Sequence, residues 1–520
     1  MPLKTEPINS QKIIFAILSG LMLTGSFPAV GFYPLVWFAL VPLLFALRDL
    51  TPSNSFRIGL LAGVVHYLTL LFWLVPTMKI YGGLPLYLCI SVLFLFAFYL
   101  ALYIGTFSFF LTEFCSKPAS CILIIPTLWV SMEYIRSFLF SGFPWEFLGY
   151  SQFNNLHLIQ ISDITGPYGL SFLIAFSNAV FFLTSLYLCK KKWQGKEVSG
   201  KFSAVSIVAI PLIFILVLSY GEWRIQSMDK LTATSPSAKV TIVQGNISQS
   251  EKWDPAFQKA TTKKYINLSL SAKKDNPDIV IWPETATPFY FLYNTDMSAM
   301  VKKGIQDAGT HFLIGSPSFI RGKNDIEFYN SAYLLNPKGE VSDKYDKVHL
   351  VPFGEYVPFK KWLPFLGKMV QQVGDFKAGK KGNTIEWKDY KIGVQICYEI
   401  IFPNLSRAMA KNGAALLANI TNDAWFGKTS APYQHFSMSV FRAVENRRTL
   451  ARAANTGISG FVDPVGRIMA STPLFQEATL TRTLPLIRIK TFYTHFGDLF
   501  AGLCTAVTLL IAILKKHIIF

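Results

Sequence analysis

Three residues of this 520-residue chain are of the types that acyl chemistry on a thiol requires. Cys397 stands in "GVQICYEI" (393–400), Glu284 near the end of "DIVIWPET" (278–285), and Lys347 in "DKYDKVHLVPFGEYVP" (343–358), eight residues before Glu355. A thiol attacks only as thiolate. It therefore needs a base for its proton and a cation to steady both the thiolate and the oxyanion it creates. Taken singly, each residue has an ordinary reading: a cysteine in an apolar strand is usually core, and a post-strand Glu or a loop Lys is usually solvated. Cysteine usage weighs against the core reading. Cys89, Cys115, Cys121, Cys189 and Cys504 lie in or beside long apolar runs, so Cys397 has no disulfide partner in its own region.

Those residues must be held by the elements around them. "KVTIVQGNIS" (239–248), "DIVIWPET", "HFLIGSPSF" (311–319), "KIGVQICYE" (391–399) and "AALLANITNDAWFG" (414–427) read as strands that stop at polar clusters. Helical patterns at 256–274 and 432–448 fall between them, and "GFVDPVGRIM" (460–469) reads as a hairpin. Alternating strands and helices predict an α/β domain, with functional groups where strands end. Glu284, Cys397 and Asn422 all sit at such ends.

The rest of the chain is a different material. Hydrophobic residues make up 51% of it, and its mean hydropathy is positive. Seven apolar runs, at about 12–28, 32–47, 58–77, 85–111, 120–140, 167–189 and 203–220, precede the α/β region, and an eighth at 497–514 follows it. Most are long enough to cross about 30 Å of hydrocarbon. The expected organisation is a transmembrane domain over 1–225 with about seven helices, a catalytic domain over 237–492, and a final span over 496–516. Lys4, Lys12, Arg48, Arg57, Lys117, Lys190–Lys192 and Lys515–Lys516 fall on one side of alternating spans, with little beyond Lys79 opposite. By the positive-inside rule both termini are cytoplasmic and 237–492 is exported. That region carries 33 Lys/Arg against 21 Asp/Glu, which suits either a solvated surface or anionic head groups. The histidines are scattered without an HExxH pair, and no Gly-rich phosphate loop is present, so neither a metal nor another cofactor is expected. An exported domain between spans makes nucleic acid remote despite the net charge of +18.

"WPET", "KVHLVPFGE" and "CYE" together resemble the Glu-Lys-Cys signature of the nitrilase (carbon-nitrogen hydrolase) superfamily, which implies an α-β-β-α sandwich. "VQGNISQSEKW" (243–253), "HLVPFGEYVP", "CYEIIFP", "TNDAWFG", "RAANTGISG" (452–460) and "GFPWEFLGYSQ" (142–152) narrow the resemblance to the apolipoprotein N-acyltransferase family. The resemblance implies Glu284 as base, Lys347 as charge stabiliser and Cys397 as nucleophile, with Glu355, Glu399 and Tyr398 in support. It implies ping-pong transfer of an acyl chain from a membrane phospholipid to Cys397, then to the N-terminal amine of a diacylglyceryl-cysteine apolipoprotein, in a bacterial inner membrane with the catalytic domain in the periplasm. A membrane-tethered amidase using the same residues is the alternative. A monomer is expected. Trp145, Tyr150, Trp253, Trp425 and Phe426 are candidate interfacial anchors or acyl-chain contacts. In segment 353–376 an apolar stripe that includes Trp362 reads as a lid, or as buried core.

Overall fold

In a computed structural model, residues 6–322, 325–358 and 375–519 are described. Trp362 and most of the expected lid (359–374) lie outside the described residues. The chain divides into two units: Met1–Ile225, Thr429–Ser437 and Phe496–Phe520 form one, and Gln226–Lys428 and Met438–His495 the other.

The first unit is helical. Among the described residues, four helices are long and apolar enough to cross a membrane: Leu86–Phe114, Pro118–Arg136, Tyr168–Leu188 and Ser203–Thr234. The pair Pro52–Leu70 and Leu74–Tyr81, bent by 51°, makes a fifth if it counts as one span. The Pro76 ring would clash with the carbonyl of Phe72, so the helix restarts there. Gly59 and Gly63, one turn apart, let Pro52–Leu70 approach Leu86–Phe114 closely. A Cβ on Gly63 would stand 2.8 Å from the Ala101 side chain. The runs at 12–28 and 497–514 form the apolar helices Ser10–Gly25 and Leu499–Ile519. The run at 32–47 is not one helix: Pro34 and Pro42 start two short ones, Tyr33–Trp37 and Val41–Ala46. Asn178 satisfies the backbone at that break, donating to the Val36 carbonyl and accepting from the Leu40 N–H, both at 2.9 Å.

The second unit is built on strands. They are β1 (Ser237–Gln244), β2 (Ile279–Ile281), β3 (His311–Arg321), β4 (Ile326–Leu335), β5 (Val341–Asp346), β6 (Ile385–Trp387), β7 (Tyr390–Ile396), β8 (Ala414–Thr421), β9 (Thr449–Ala454), β10 (Gly460–Val462), β11 (Ile468–Ser471) and β12 (Ala478–Pro485). They form two six-stranded sheets among the described residues, in the orders β12-β1-β2-β3-β4-β5 and β11-β10-β9-β8-β7-β6. Pairing is parallel for β1-β2-β3 and β7-β8-β9 and antiparallel elsewhere. Alternation along the first sheet turns Val243, Val280, Trp282, Phe312 and Ile314 to one face, where Tyr265, Val301 and Ile305 of helices Pro255–Ser271 and Thr295–Ala308 cover them. The opposite face meets the second sheet: the His311 and Trp387 rings lie 6.4 Å apart, and Ser459 donates to Gln244 at 2.6 Å. Helix Pro403–Lys411 packs Leu405 and Met409 on β7 and β8. The layers thus run helix, sheet, sheet, helix.

Candidate active site

Polar residues gather where strands of both sheets end, the place at which open α/β sheets hold ligands. Glu284 follows β2 by three residues, Lys347 follows β5 directly, and Cys397 follows β7 directly. Cys397 opens a 3-10 turn, Cys397–Ile401, with φ +52. A left-handed φ is uncommon for a residue with a Cβ and is retained where surrounding contacts over-determine it. Those contacts centre on Glu399. Its buried carboxylate accepts from the Ile396 N–H (2.7 Å), the Val348 N–H (2.7 Å), the His349 N–H (3.0 Å) and the Tyr345 hydroxyl (3.0 Å). Glu399 therefore ties the turn that carries Cys397 to the backbone that carries Lys347.

Lys347 is 1% exposed, and its Nζ donates to Glu355 Oε1 at 2.9 Å with Glu284 Oε1 at 3.7 Å. Burial pulls its pKa down, but the Glu355 and Glu284 carboxylates outweigh that and hold it above the usual lysine value. Burial and then Glu284 push the Cys397 thiol up, against the opposing charge of Lys347. Both effects favour the protonated thiol over the thiolate. The Glu284 carboxylate, whose charge acts on that thiol, is itself held at both oxygens. Its Oε1 accepts from Asn330 Nδ2 at 2.7 Å and its Oε2 from the Asn422 N–H at 2.9 Å. Asn330 gives its second proton to Glu355 Oε1 at 2.9 Å, so one amide spans both carboxylates. Glu355 also accepts from the Val351 N–H at 2.8 Å.

The structure thus brings Glu284, Lys347, Glu355 and Cys397 into one buried cluster. Tyr398, next to Cys397, packs its ring edge-on to Phe402 at 5.2 Å. Trp253 and Trp425 are 49% and 39% exposed, and Phe426 is half-buried. Trp145 and Tyr150 lie in the first unit, both buried. Trp145 donates to Gln434 Oε1 at 2.9 Å and stacks on Phe143, while Tyr150 stacks on Phe147. Neither presents a surface for an interfacial anchor. Asn330 was missed by sequence reasoning. Its signal was a strand-averse Asn inside the aromatic-rich β4. Lys252, also missed, is buried beside Glu284; its stretch, 243–253, carried the resemblance as a motif, but nothing in it singled out the lysine.

Two family models cover most of the chain: the apolipoprotein N-acyltransferase N-terminal domain over residues 19–180 and carbon-nitrogen hydrolase over 239–493. A Geobacter metallireducens protein named apolipoprotein N-acyltransferase is 42% identical, covering 98% of this chain and 96% of its own. One of the same name from Chlorobaculum tepidum is 31% identical, covering 98% of both. Among solved structures, an amidase from Nesterenkonia sp. is 19% identical, covering 51% of this chain and 96% of its own with a TM-score of 0.39. Two-domain coverage and full-length identity lead to one conclusion: this chain belongs to the apolipoprotein N-acyltransferase family.

Proposed function

We propose that the chain transfers an acyl chain from a membrane phospholipid to the N-terminal amine of diacylglyceryl-cysteine apolipoproteins through a thioester on Cys397. The observation that carries this reading is the buried Glu284–Lys347–Glu355 cluster facing a cysteine held at φ +52. Glu284 takes the thiol proton as Sγ attacks the phospholipid ester carbonyl. The developing oxyanion is met by the Lys347 charge and the Tyr398 N–H. Collapse breaks the carbonyl–oxygen bond to glycerol, Glu284 returns the proton to that oxygen, and lysophospholipid leaves. The acceptor amine then attacks the thioester, Glu284 takes its proton, and the C–S bond breaks. The proton passes to the thiolate, giving amide and free thiol. Burial of the site disfavours water, the competing nucleophile.

The organisation that serves this reading has a membrane domain over 1–225, a catalytic domain over 237–492 and a last span over 496–516, eight passes in all. The membrane is the bacterial inner one, with the catalytic domain in the periplasm. The Lys/Arg bias of the alternate loops supports that orientation.

Intact-protein mass spectrometry after incubation with phospholipid tests the chemistry. The wild type should gain an acyl-sized increment that hydroxylamine removes and release lysophospholipid rather than ammonia. Cys397→Ala should show no increment and no transfer, and Cys397→Ser should be nearly inactive. Substantial lipoprotein acylation by Cys397→Ala would refute the thioester.

A further inference from the structure

Lys252 ends the short helix Gln249–Lys252 and is 1% exposed. Its Nζ donates to the backbone carbonyl of Glu284 at 3.0 Å. The same helix grips the site a second time, where Asn422 Nδ2 donates to Gln249 Oε1 at 2.7 Å and the Asn422 N–H binds Glu284 Oε2. Glu284 is therefore held at its carbonyl by Lys252 and at its carboxylate by a residue anchored to the neighbouring turn.

Charge accounting gives Lys252 a second task. Glu284 and Glu355 bring two negative charges and Lys347 one positive, so these three leave one negative charge in a buried space. Asp423 is matched by Arg452 at 2.7 Å, with both side chains fully buried. Forming a thiolate at Cys397 would add negative charge where burial already opposes it. We infer that Lys252 is the second cation of this site, a positioning residue that fixes Glu284 through its carbonyl and offsets the negative charge against which the Cys397 thiolate must form. This rests on the thioester reading and deepens it. Of the titratable groups around Lys252, Glu284 and Cys397 act on its charge, Lys347 and Glu355 flank Glu284, and Glu251 of its own helix is exposed. Burial lowers the Lys252 pKa to about 8, against Glu284 and Cys397, so its charge fades as pH rises through that value.

The test is iodoacetamide alkylation of the full-length protein, followed on the Cys397 peptide by mass spectrometry from pH 6 to 10. Single-turnover lysophospholipid release is measured in parallel. Lys252→Met should slow alkylation of Cys397 at pH 7 about tenfold or more, as expected when a nearby cation is lost. Lys252→Arg should keep the wild-type rate. Lysophospholipid release by the wild type should fall above about pH 8, and in Lys252→Arg that fall should move to higher pH because a guanidinium stays charged. A well-folded Lys252→Met with the wild-type alkylation profile would overturn the inference. If Lys252→Met does not fold, Lys252→Arg decides alone: an unchanged alkaline fall overturns it, and a displaced fall supports it. Alkylation needs no acyl chemistry. A Cys397→Ala variant that still releases lysophospholipid would therefore remove the thioester reading and leave the alkylation result for Lys252 standing.

Discussion

At the scale of single residues, Glu399 shows how competing magnitudes settle. Four donors hold its charged form, which favours ionisation, yet full burial outweighs them and raises its pKa to about 7. A carboxyl whose pKa is raised in the fold stabilises the protein below its unfolded value, about 4.5, and that contribution is lost as pH rises through about 7. Glu399→Gln has nothing to titrate there. The melting temperature of the wild type minus that of Glu399→Gln should therefore decline between pH 5 and 7.5, whatever the constant offset from altered hydrogen bonds. A difference that stays level over that range would show that Glu399 does not carry this titration. Asn330 settles differently. Its two amide protons are committed to Glu284 and Glu355, which fixes two like-charged carboxylates beside one ammonium.

At the scale of elements, the critical contact is backbone against backbone. After β2 the chain turns at Pro283 and lies on β3, with the Trp282 N–H donating to the Leu313 carbonyl at 2.8 Å and the Thr287 N–H to the Gly315 carbonyl at 3.1 Å. Gly315 makes that approach possible. A Cβ there would stand 2.4 Å from the Pro283 oxygen and 2.7 Å from the Glu284 Cα. Gly315→Ala should push 283–285 away from β3 and displace the Glu284 carboxylate. A misplacement of about 1 Å in a catalytic group costs on the order of 10² in rate. Acyl transfer should fall by about that factor while circular dichroism still reports a folded protein. A wild-type turnover number in Gly315→Ala would mean that the segment finds room without moving Glu284.

At the scale of the whole chain, the proposed orientation makes a labelling prediction. Lys338 and Lys192 are both exposed, so access to each is decided by the side of the membrane. In a background lacking the exposed Cys189, a membrane-impermeant maleimide added to intact spheroplasts should label a cysteine placed at 338 and spare one at 192. The Cys115–Cys121 disulfide closes a loop that the same orientation puts in the cytoplasm, where thiols are kept reduced. In cells these two cysteines should take up a permeant alkylating reagent without prior reduction. The reverse labelling pattern at 338 and 192 would refute the orientation and a periplasmic acceptor.

What the sequence determined alone was whatever depends on local pattern. Long apolar runs marked most of the long helices, apolar or alternating stretches that stop at polar clusters marked β1, β2, β3, β7 and β8, and Asp-Pro-Val-Gly marked the β10–β11 hairpin. Residue type at strand ends singled out Glu284 and Cys397, and Lys347 joined them through its own type and the motif resemblance, because few side chains perform thiol chemistry. The tertiary structure decided what depends on partners distant in the chain. The run at 32–47 is apolar enough for a span, yet two prolines and the amide of Asn178, far along the chain, make it two short helices. Asn330 showed only as a strand-averse residue and Lys252 as one lysine of a motif, because a hydrogen bond to Glu284 leaves no mark on neighbouring positions. Glu399 read as a supporting carboxylate by adjacency to Cys397. Only the folded chain brings Val348, His349 and Tyr345 across from the other sheet to meet it. Burial and charge pairing are properties of three-dimensional neighbourhoods, and they determine which groups of a legible motif are charged, held and able to react.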